Sequence, residues 1–390
     1  MEGLTDRKDR EGPAEGAFET GFVMPQRSIW LLKHRRAGDL AQMRNLAAML
    51  RDGQGDGGAS TWTVEEKQLA FRGPNIVHLA PTASWLLDPK GSDSLAPPWP
   101  DAIVAAEASA ASVAKSLKAQ AGDRTKVIVV GRPAGEIATF DLILTTAQYR
   151  LPAAPNVVTL PLPLATSPLA SAEERRLLLE RMAGKPRPWI AVLIGGSVPP
   201  DGLDRKAITQ IGEAARSKAQ ESRGSYIVLT SPRTGKACDD VIRESLSDAD
   251  LLQLWTDATT PNLYRAVVAE ADFFIVTSDS VSMTVEALNS GKPVSVFMLP
   301  QESPIGRRIV ANLNRSAGIA VRSPRHIWRM VSPLFASGIL EEPADRQEFY
   351  RELIARDVLA VYPRFPARSA AGVAQEANEA ARSAIRRLMA

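Results

Sequence analysis

The residues best suited to bind a ligand stand at 277–287, where an apolar run gives way to a helical pattern. Hydroxyl side chains cluster there, although Ser and Thr in a first helical turn compete with the helix backbone for hydrogen bonds. Together with the free N–H groups of a helix N-terminus, such hydroxyls form a cradle for an anion. Glu286 follows about two turns into the helix, where its carboxylate could accept hydrogen bonds from a ribose diol. The segment predicts a nucleotide site, and the alternative is a capping cluster beside a surface glutamate.

Two further loops carry the residue types of a phosphate site, and each follows an apolar run of strand length. A Gly-Gly-Ser sequence at 195–197 would let the backbone and a hydroxyl approach a phosphate. Ser231 and Arg233 belong to the other loop, and a guanidinium matches the oxygens of a phosphate or diphosphate. The plainer interpretations are a tight turn for the glycines and, for the second loop, a solvated arginine before a helix capped by Thr234.

The N-terminal half offers fewer candidates. Asp39 follows the first apolar run and begins a helical pattern, so it is either an ordinary helix N-cap or a general base or acceptor-hydroxyl binder at a cleft. His34 is a second candidate base, and Arg132 is a candidate anion contact on another loop. Because a cap explains the aspartate without any function, its catalytic role depends on its facing the ligand site.

Short apolar runs alternate with amphipathic segments along most of the chain, as is typical of parallel strands connected by helices. A proline-rich stretch at 151–168 interrupts the pattern, which restarts at Ser171 with a capping box to Glu174. The sequence therefore predicts an α/β fold with two doubly wound, Rossmann-like domains that face a cleft. The expected parts are a tail at 1–26, a first domain at 27–168, a second domain at 171–340 and a helical extension at 341–390.

Composition excludes several classes of function. The single cysteine, Cys238, rules out a disulfide framework and a cysteine-based zinc site, and three isolated histidines argue against a histidine metal site. The 47 basic and 44 acidic residues leave a net charge of +3, without the basic stripe of a nucleic-acid binder. Neither a signal peptide nor a transmembrane helix is expected, because charged residues or prolines interrupt the candidate segments. We therefore expect a cytoplasmic protein that uses no metal and no other cofactor.

Several motifs, in this order along the chain, are similar to those of the mitochondrial fission ELM-type family and its bacterial members; they lie at 36–42, 140–144, 194–196, 230–234 and 276–287. The last motif is the most specific. The resemblance covers most of residues 27–299 and implies a GT-B fold, whose second domain holds a nucleotide-sugar. Residues 277–286 also resemble the donor-site motif of the peptidoglycan N-acetylglucosamine transferase, which implies that Glu286 holds the ribose.

These features together predict a metal-independent glycosyltransferase that moves a sugar from a nucleotide diphosphate donor to an envelope glycan or lipid. Asp39 would be the general base in an acceptor domain, and a peripheral contact with the inner face of the membrane is compatible with this function. The alternatives are a GT-B scaffold without catalysis that acts as an assembly factor, and a sugar-nucleotide epimerase, which needs two acid/base groups near the sugar. The residues expected to bind the donor are Gly195, Gly196, Ser197, Ser231, Arg233, Ser278, Ser280, Val281, Ser282 and Glu286.

Overall fold

A computed structural model describes residues 27–33, 37–52, 62–72, 87–106, 108–133, 136–164, 169–196, 202–257, 261–300 and 345–389. Its strands form two six-stranded sheets whose paired strands are all parallel, and helices connect the strands. The predicted α/β fold with two doubly wound, Rossmann-like units is thereby confirmed. None of the helices in these ranges is long and apolar enough to cross a membrane.

The elements of the first sheet are β1 (Arg27–Lys33), α1 (Ala37–Asp52), β2 (Trp62–Gln68), β3 (Ala102–Ala106), α2 (Ala108–Ala121), β4 (Lys126–Val130), β5 (Leu142–Thr146) and β6 (Val157–Leu160). The strand order is β2-β1-β3-β4-β5-β6. All of β3 and residues 127–130 of β4 are buried and apolar on both faces, which requires a helical layer on each side.

The second sheet follows the capping box at Ser171, which is present as predicted. Its elements are α3 (Ala172–Arg181), β7 (Trp189–Ile194), α4 (Arg205–Ser222), β8 (Ser225–Thr230), α5 (Lys236–Ser245), β9 (Leu251–Gln253), α6 (Tyr264–Glu270), β10 (Phe273–Thr277), α7 (Val281–Asn289), β11 (Val294–Phe297) and the later β12 (Ala360–Val361).

The order of this second sheet, β12-β11-β10-β7-β8-β9, determines where a ligand can bind. The chain builds outward from β7 to β9 and then returns to place β10 on the other side of β7. The strand order therefore reverses between β7 and β10. In doubly wound sheets, ligands bind beyond the carboxyl ends of the strands at such a switch point.

The opposite, amino edge of both sheets is closed by aspartates. Each stands directly before a strand and accepts a hydrogen bond from a backbone N–H of the neighbouring strand, which would otherwise lack a partner. These four bonds run from Ser28 to Asp101 (2.8 Å), from Val127 to Asp141 (2.7 Å), from Tyr226 to Asp250 (3.0 Å) and from Trp189 to Asp272 (2.8 Å).

The C-terminal segment joins the two sheets through α8 (Arg346–Ala355) and α9 (Ala371–Met389). Helix α9 contacts β5, β6 and α1 of the first unit and α7 of the second. Its buried Ala377, Ala381 and Ile385 belong to one continuous hydrophobic core with residues of both units. The segment expected to be a helical extension also contributes β12, which pairs in parallel with β11.

Candidate functional site

Three loops meet at the carboxyl edge of the second sheet, because β7 lies between β10 and β8. The first continues β7 with Gly195 and Gly196, the second follows β8 at 231–234, and the third follows β10 at 278–280. These are the loops whose residue types predict a phosphate site, and the fold brings their described residues together at the switch point. Ser197 lies outside the described residues.

A buried carboxylate lies at the centre of this cluster. Asp279 is 2% exposed and accepts a hydrogen bond from the Gly196 N–H (2.8 Å) and one from the Thr277 hydroxyl (2.7 Å). Thr277 in turn accepts from the Gly195 N–H (2.8 Å). A guanidinium nitrogen of Arg233 lies 3.5 Å from the same Asp279 oxygen that Gly196 contacts. Asp279 was not among the residues predicted to bind a ligand, although it stands inside the predicted segment.

The two glycines are required by the chain's own close contacts. A Cβ on Gly195 would lie 2.1 Å from an Asp279 carboxylate oxygen, and one on Gly196 would lie 2.3 Å from the Arg233 carbonyl oxygen. Both distances are far below van der Waals contact. The Gly-Gly sequence therefore lets the loops after β7, β8 and β10 pack against one another.

The loop after β8 is tied to the loop after β7 by its hydroxyls. Ser231 is buried, donates to the Gly195 carbonyl (2.7 Å) and accepts from the Arg233 N–H (3.2 Å). The Thr234 hydroxyl also donates to the Gly195 carbonyl. The prediction that Thr234 caps the next helix is wrong, because α5 begins at Lys236 with Gly235 as its N-cap.

Arg233 is the group of this loop that reaches outward, with half of its side chain exposed. Its guanidinium donates to the Ser280 hydroxyl (3.0 Å), which stands at the N-cap of α7. Val281 and the exposed Ser282 form the first positions of that helix. A guanidinium, a hydroxyl and a helix N-terminus thus converge on one point, which is a favourable arrangement for an anion.

Ser278, one of the residues predicted to bind the donor, is held by hydrogen bonds within the chain. Its hydroxyl accepts from the Leu299 N–H (3.0 Å), and its carbonyl accepts from the hydroxyl of Tyr350 on α8 (3.0 Å). Tyr350 is buried and also lies 3.5 Å from the Thr284 hydroxyl inside α7. The C-terminal segment therefore fixes the loop before α7 from behind, a contact that no local sequence pattern indicated.

Glu286 lies in α7 and is partly buried. The hydroxyl of Tyr264, at the first position of α6, donates a hydrogen bond to a Glu286 carboxylate oxygen. Burial raises the pKa of Glu286 above its ordinary value, and the hydrogen bond from Tyr264 acts in the opposite direction. Burial and the neighbouring carboxylate raise the pKa of Tyr264 well above its ordinary value, so its hydroxyl keeps its proton. Sequence reasoning missed Tyr264, which is 22 residues away along the chain.

A cavity of about 200 Å³ opens at the ends of β8 and β9. Its wall includes Trp255, which is 52% exposed, together with polar groups from the strand ends and the loop before α6. A half-exposed indole offers a flat apolar face to a planar ring. The other lining residues are Leu229, Thr230, Gln253, Leu254, Asp257 and Asn262.

Asp39 is positioned by the other sheet. It lies in the first turn of α1, after the carboxyl end of β1, and not at the N-cap, because the helix begins at Ala37. Since β1 lies between β2 and β3, Asp39 follows the strand at which the order of the first sheet reverses.

The sequence model of a known family, mitochondrial fission ELM1, matches residues 37–333, which is more than half of the chain. The chain belongs to this family. A relative in the ELM1 family, the mitochondrial fission protein ELM1 of Arabidopsis thaliana, is 24% identical over 217 residues. That alignment covers 50% of each protein, so the chain spans about half the length of the curated relative it matches.

This ELM1-family chain is also similar to several solved structures. Acinetobacter baumannii MurG is 14% identical with a TM-score of 0.39, over 90% of this chain and 99% of that one. The Medicago truncatula enzyme UGT71G1, complexed with UDP-glucose, is 9% identical with a TM-score of 0.44, over 94% and 98%. UDP-GlcNAc 2-epimerase of Methanocaldococcus jannaschii is 9% identical with a TM-score of 0.47, over 90% and 98%. Because these TM-scores lie below 0.5, the fold assignment rests on the strand orders given above.

Proposed function

We propose that this ELM1-family chain is a metal-independent glycosyltransferase of the GT-B type, which moves a sugar from a nucleoside diphosphate donor to a glycan or lipid acceptor. A domain at 171–340 would hold the donor and one at 27–168 the acceptor. The observation that carries the proposal is the convergence of Arg233, Ser280 and the start of α7 at the switch point of the second sheet, on the helix that also carries Glu286.

The diphosphate would bind at this convergence. Arg233 supplies a delocalised positive charge, Ser280 and Ser282 supply hydroxyls, and the first N–H groups of α7, from Val281 onward, supply the positive end of the helix. These fixed donors would stabilise the negative charge that develops on the leaving diphosphate. They would thereby take the role that a metal ion can have in such reactions.

The nucleoside would extend from the phosphates towards Glu286 and Trp255. Glu286 would accept hydrogen bonds from the ribose hydroxyls, and Tyr264 would hold that carboxylate in place. The indole of Trp255 would then lie against the base in the cavity at the ends of β8 and β9.

The acceptor would lie between the two domains, and Asp39 would remove the proton of its hydroxyl or hold it. For a general base, reach to the hydroxyl matters before pKa, so this role requires Asp39 to approach the donor sugar. A glycan or lipid of the cell envelope is the proposed acceptor, with a peripheral contact at the inner face of the membrane and the protein otherwise in the cytoplasm.

One observation favours a second candidate, a scaffold that has lost catalysis. Four of the groups predicted to bind phosphate (Gly195, Gly196, Ser231 and Ser278) already form hydrogen bonds within the chain. A chain whose loops are held together in this way could serve as a rigid assembly factor.

A thermal-shift screen of nucleotides and nucleotide sugars separates these candidates, because a ligand that binds the folded state must stabilise it. We expect at least one nucleoside diphosphate sugar to raise the melting temperature of the wild type and not that of Glu286→Ala. Glu213→Ala, an exposed glutamate on α4 of the same domain, is the matched control and should respond as the wild type does. If no nucleotide stabilises the wild type at millimolar concentration, the donor site is refuted and the scaffold is favoured.

A further inference from the structure

Asp279 occupies the position where a phosphate would be expected at a switch point. Its carboxylate lies between the N–H of Gly196 and the guanidinium of Arg233, and these are the donor types that bind phosphate in crevices of doubly wound sheets. An oxygen of Asp279 lies at 2.1 Å from where a Cβ of Gly195 would stand, so the glycine is there to admit this carboxylate.

A purely structural requirement does not explain a charge at this position. Transfer of a carboxylate to the protein interior carries a large desolvation cost, which a neutral acceptor avoids. A serine or asparagine oxygen could accept from Gly196 without that cost. The carboxylate also faces a half-exposed Arg233, so it affects the net charge of the crevice that a ligand enters.

The aspartate at the other end of the same strand provides the comparison. Asp272, directly before β10, accepts from the Trp189 N–H (2.8 Å) and pairs with Arg187 (2.8 Å). Both aspartates therefore accept from a backbone N–H and pair with an arginine. The N–H belongs to the first residue of β7 at Asp272 and to the loop after β7 at Asp279. Asp272, however, closes the amino edge of the sheet, away from the ligand crevice, and its side chain is 29% exposed.

We propose that Asp279 is a built-in anion that holds the place of a phosphate between Gly196 and Arg233, so that a diphosphate must compete with this carboxylate for the same donors. The competition with a nucleotide diphosphate rests on the proposed donor site. The competition with a simple anion such as pyrophosphate does not. Asp279 would then determine specificity. It would disfavour ligands that bind only through their negative charge and favour ligands that also contact the protein through other groups. Removing its charge should therefore strengthen anion binding, the opposite of removing a ligand-binding residue.

The test measures binding of inorganic pyrophosphate by calorimetry to the full chain and to Asp279→Asn. Asparagine keeps an acceptor for the Gly196 N–H and removes the charge. We expect pyrophosphate to bind the variant about tenfold more tightly, which is the size of one partly screened like-charge contact. Asp272→Asn, the matched control at the amino edge, should bind pyrophosphate as the wild type does. Equal or weaker binding by a folded Asp279→Asn, or binding by neither protein, overturns the proposal.

A measurement on the wild type covers the case in which Asp279→Asn does not fold. Pyrophosphate that displaces the carboxylate must shift the NMR signal of the Gly196 amide, whereas the Trp189 amide at Asp272 should not move. An unmoved Gly196 signal at saturating pyrophosphate overturns the proposal. If pyrophosphate behaves as expected while no nucleotide sugar binds, the glycosyltransferase function fails and the role of Asp279 stands.

Discussion

The two edges of the second sheet use the same residue types for different purposes. At the amino edge, Asp250 and Asp272 stand directly before strands and accept hydrogen bonds from backbone N–H groups of the neighbouring strands. At the carboxyl edge, Asp279 comes after β10 and is buried among loops that also bring together Arg233 and Ser280. An aspartate at the first edge is explained by the sheet itself. At the second edge, the sheet needs no buried charge, and this difference marks the edge on which a function is to be sought.

The largest expected effect compares two glycines, one at each edge, that cannot accept a Cβ. A Cβ on Gly195 would lie 2.1 Å from Asp279, and one on Gly224, before β8, would lie 2.0 Å from the Pro188 carbonyl oxygen. We expect Gly195→Ala and Gly224→Ala each to lower the free energy of unfolding by about 3 kcal/mol, the upper end for overpacking. Urea denaturation measures both losses.

Ligand binding then separates the two glycine variants. At a temperature where both are folded, Gly195→Ala should lose affinity for the donor nucleotide, because Asp279 and Arg233 must shift, while Gly224→Ala should keep it. Gly372→Ala, on the exposed start of α9 with no atom within 4 Å of the added Cβ, is the neutral control. Equal loss of binding in Gly195→Ala and Gly224→Ala would contradict the functional difference between the edges.

A somewhat smaller loss of stability is expected when an amino-edge cap is removed. Asp272→Ala leaves the Trp189 N–H without its side-chain acceptor and removes one of the two acidic partners of Arg187, whose guanidinium keeps its contacts with Glu270. We expect the free energy of unfolding to fall by about 2 kcal/mol, within the range for a hydrogen bond to a charged group. Denaturant unfolding measures this loss, and nucleotide affinity should not change. A nucleotide affinity different from that of the wild type would show that the amino edge also influences the site.

The sequence was sufficient for much of the fold and for the three loops of the site. Apolar runs alternating with helices predict the doubly wound sheets, but β2 lacks such a run because Glu65, Glu66 and Lys67 interrupt its apolar pattern. An edge strand covered on one side can carry such residues. Long-range contacts could not be predicted from the sequence. Neither the hydrogen bond from Tyr264 to Glu286 nor the burial of Asp279 produces a local sequence pattern. Thr234 differs from its predicted role as a helix cap for the same reason, because its hydroxyl bonds to Gly195 and not to its own helix.

Stability against pH gives the next prediction at the carboxyl edge. Because burial raises the folded pKa of Glu286 above its unfolded value, the unfolded state holds fewer protons between those values, and stability falls as pH rises through the folded pKa. Glu286→Gln removes this dependence. Relative to the wild type, the variant should be more stable at neutral pH, with an advantage that disappears as the pH approaches the unfolded pKa. Thermal unfolding from pH 4 to pH 8 measures it, and a constant difference would contradict the assignment.

The smallest expected effect is a change of pH profile caused by one hydroxyl. Tyr264→Phe removes the hydrogen bond that lowers the pKa of Glu286, so that pKa should rise further above its ordinary value. If the Glu286 carboxylate binds ribose, nucleotide affinity is lost as the pH falls through this pKa, and the loss should begin at a higher pH in Tyr264→Phe. At a pH well above this pKa the variant should bind nearly as well as the wild type, since Glu286 is then ionised in both proteins. Tyr362→Phe, which removes a hydroxyl that donates to the Ala214 carbonyl, is the control and should keep the wild-type profile. A uniform loss of affinity at every pH would instead mean that Tyr264 does not act through the pKa of Glu286, which would contradict the assignment.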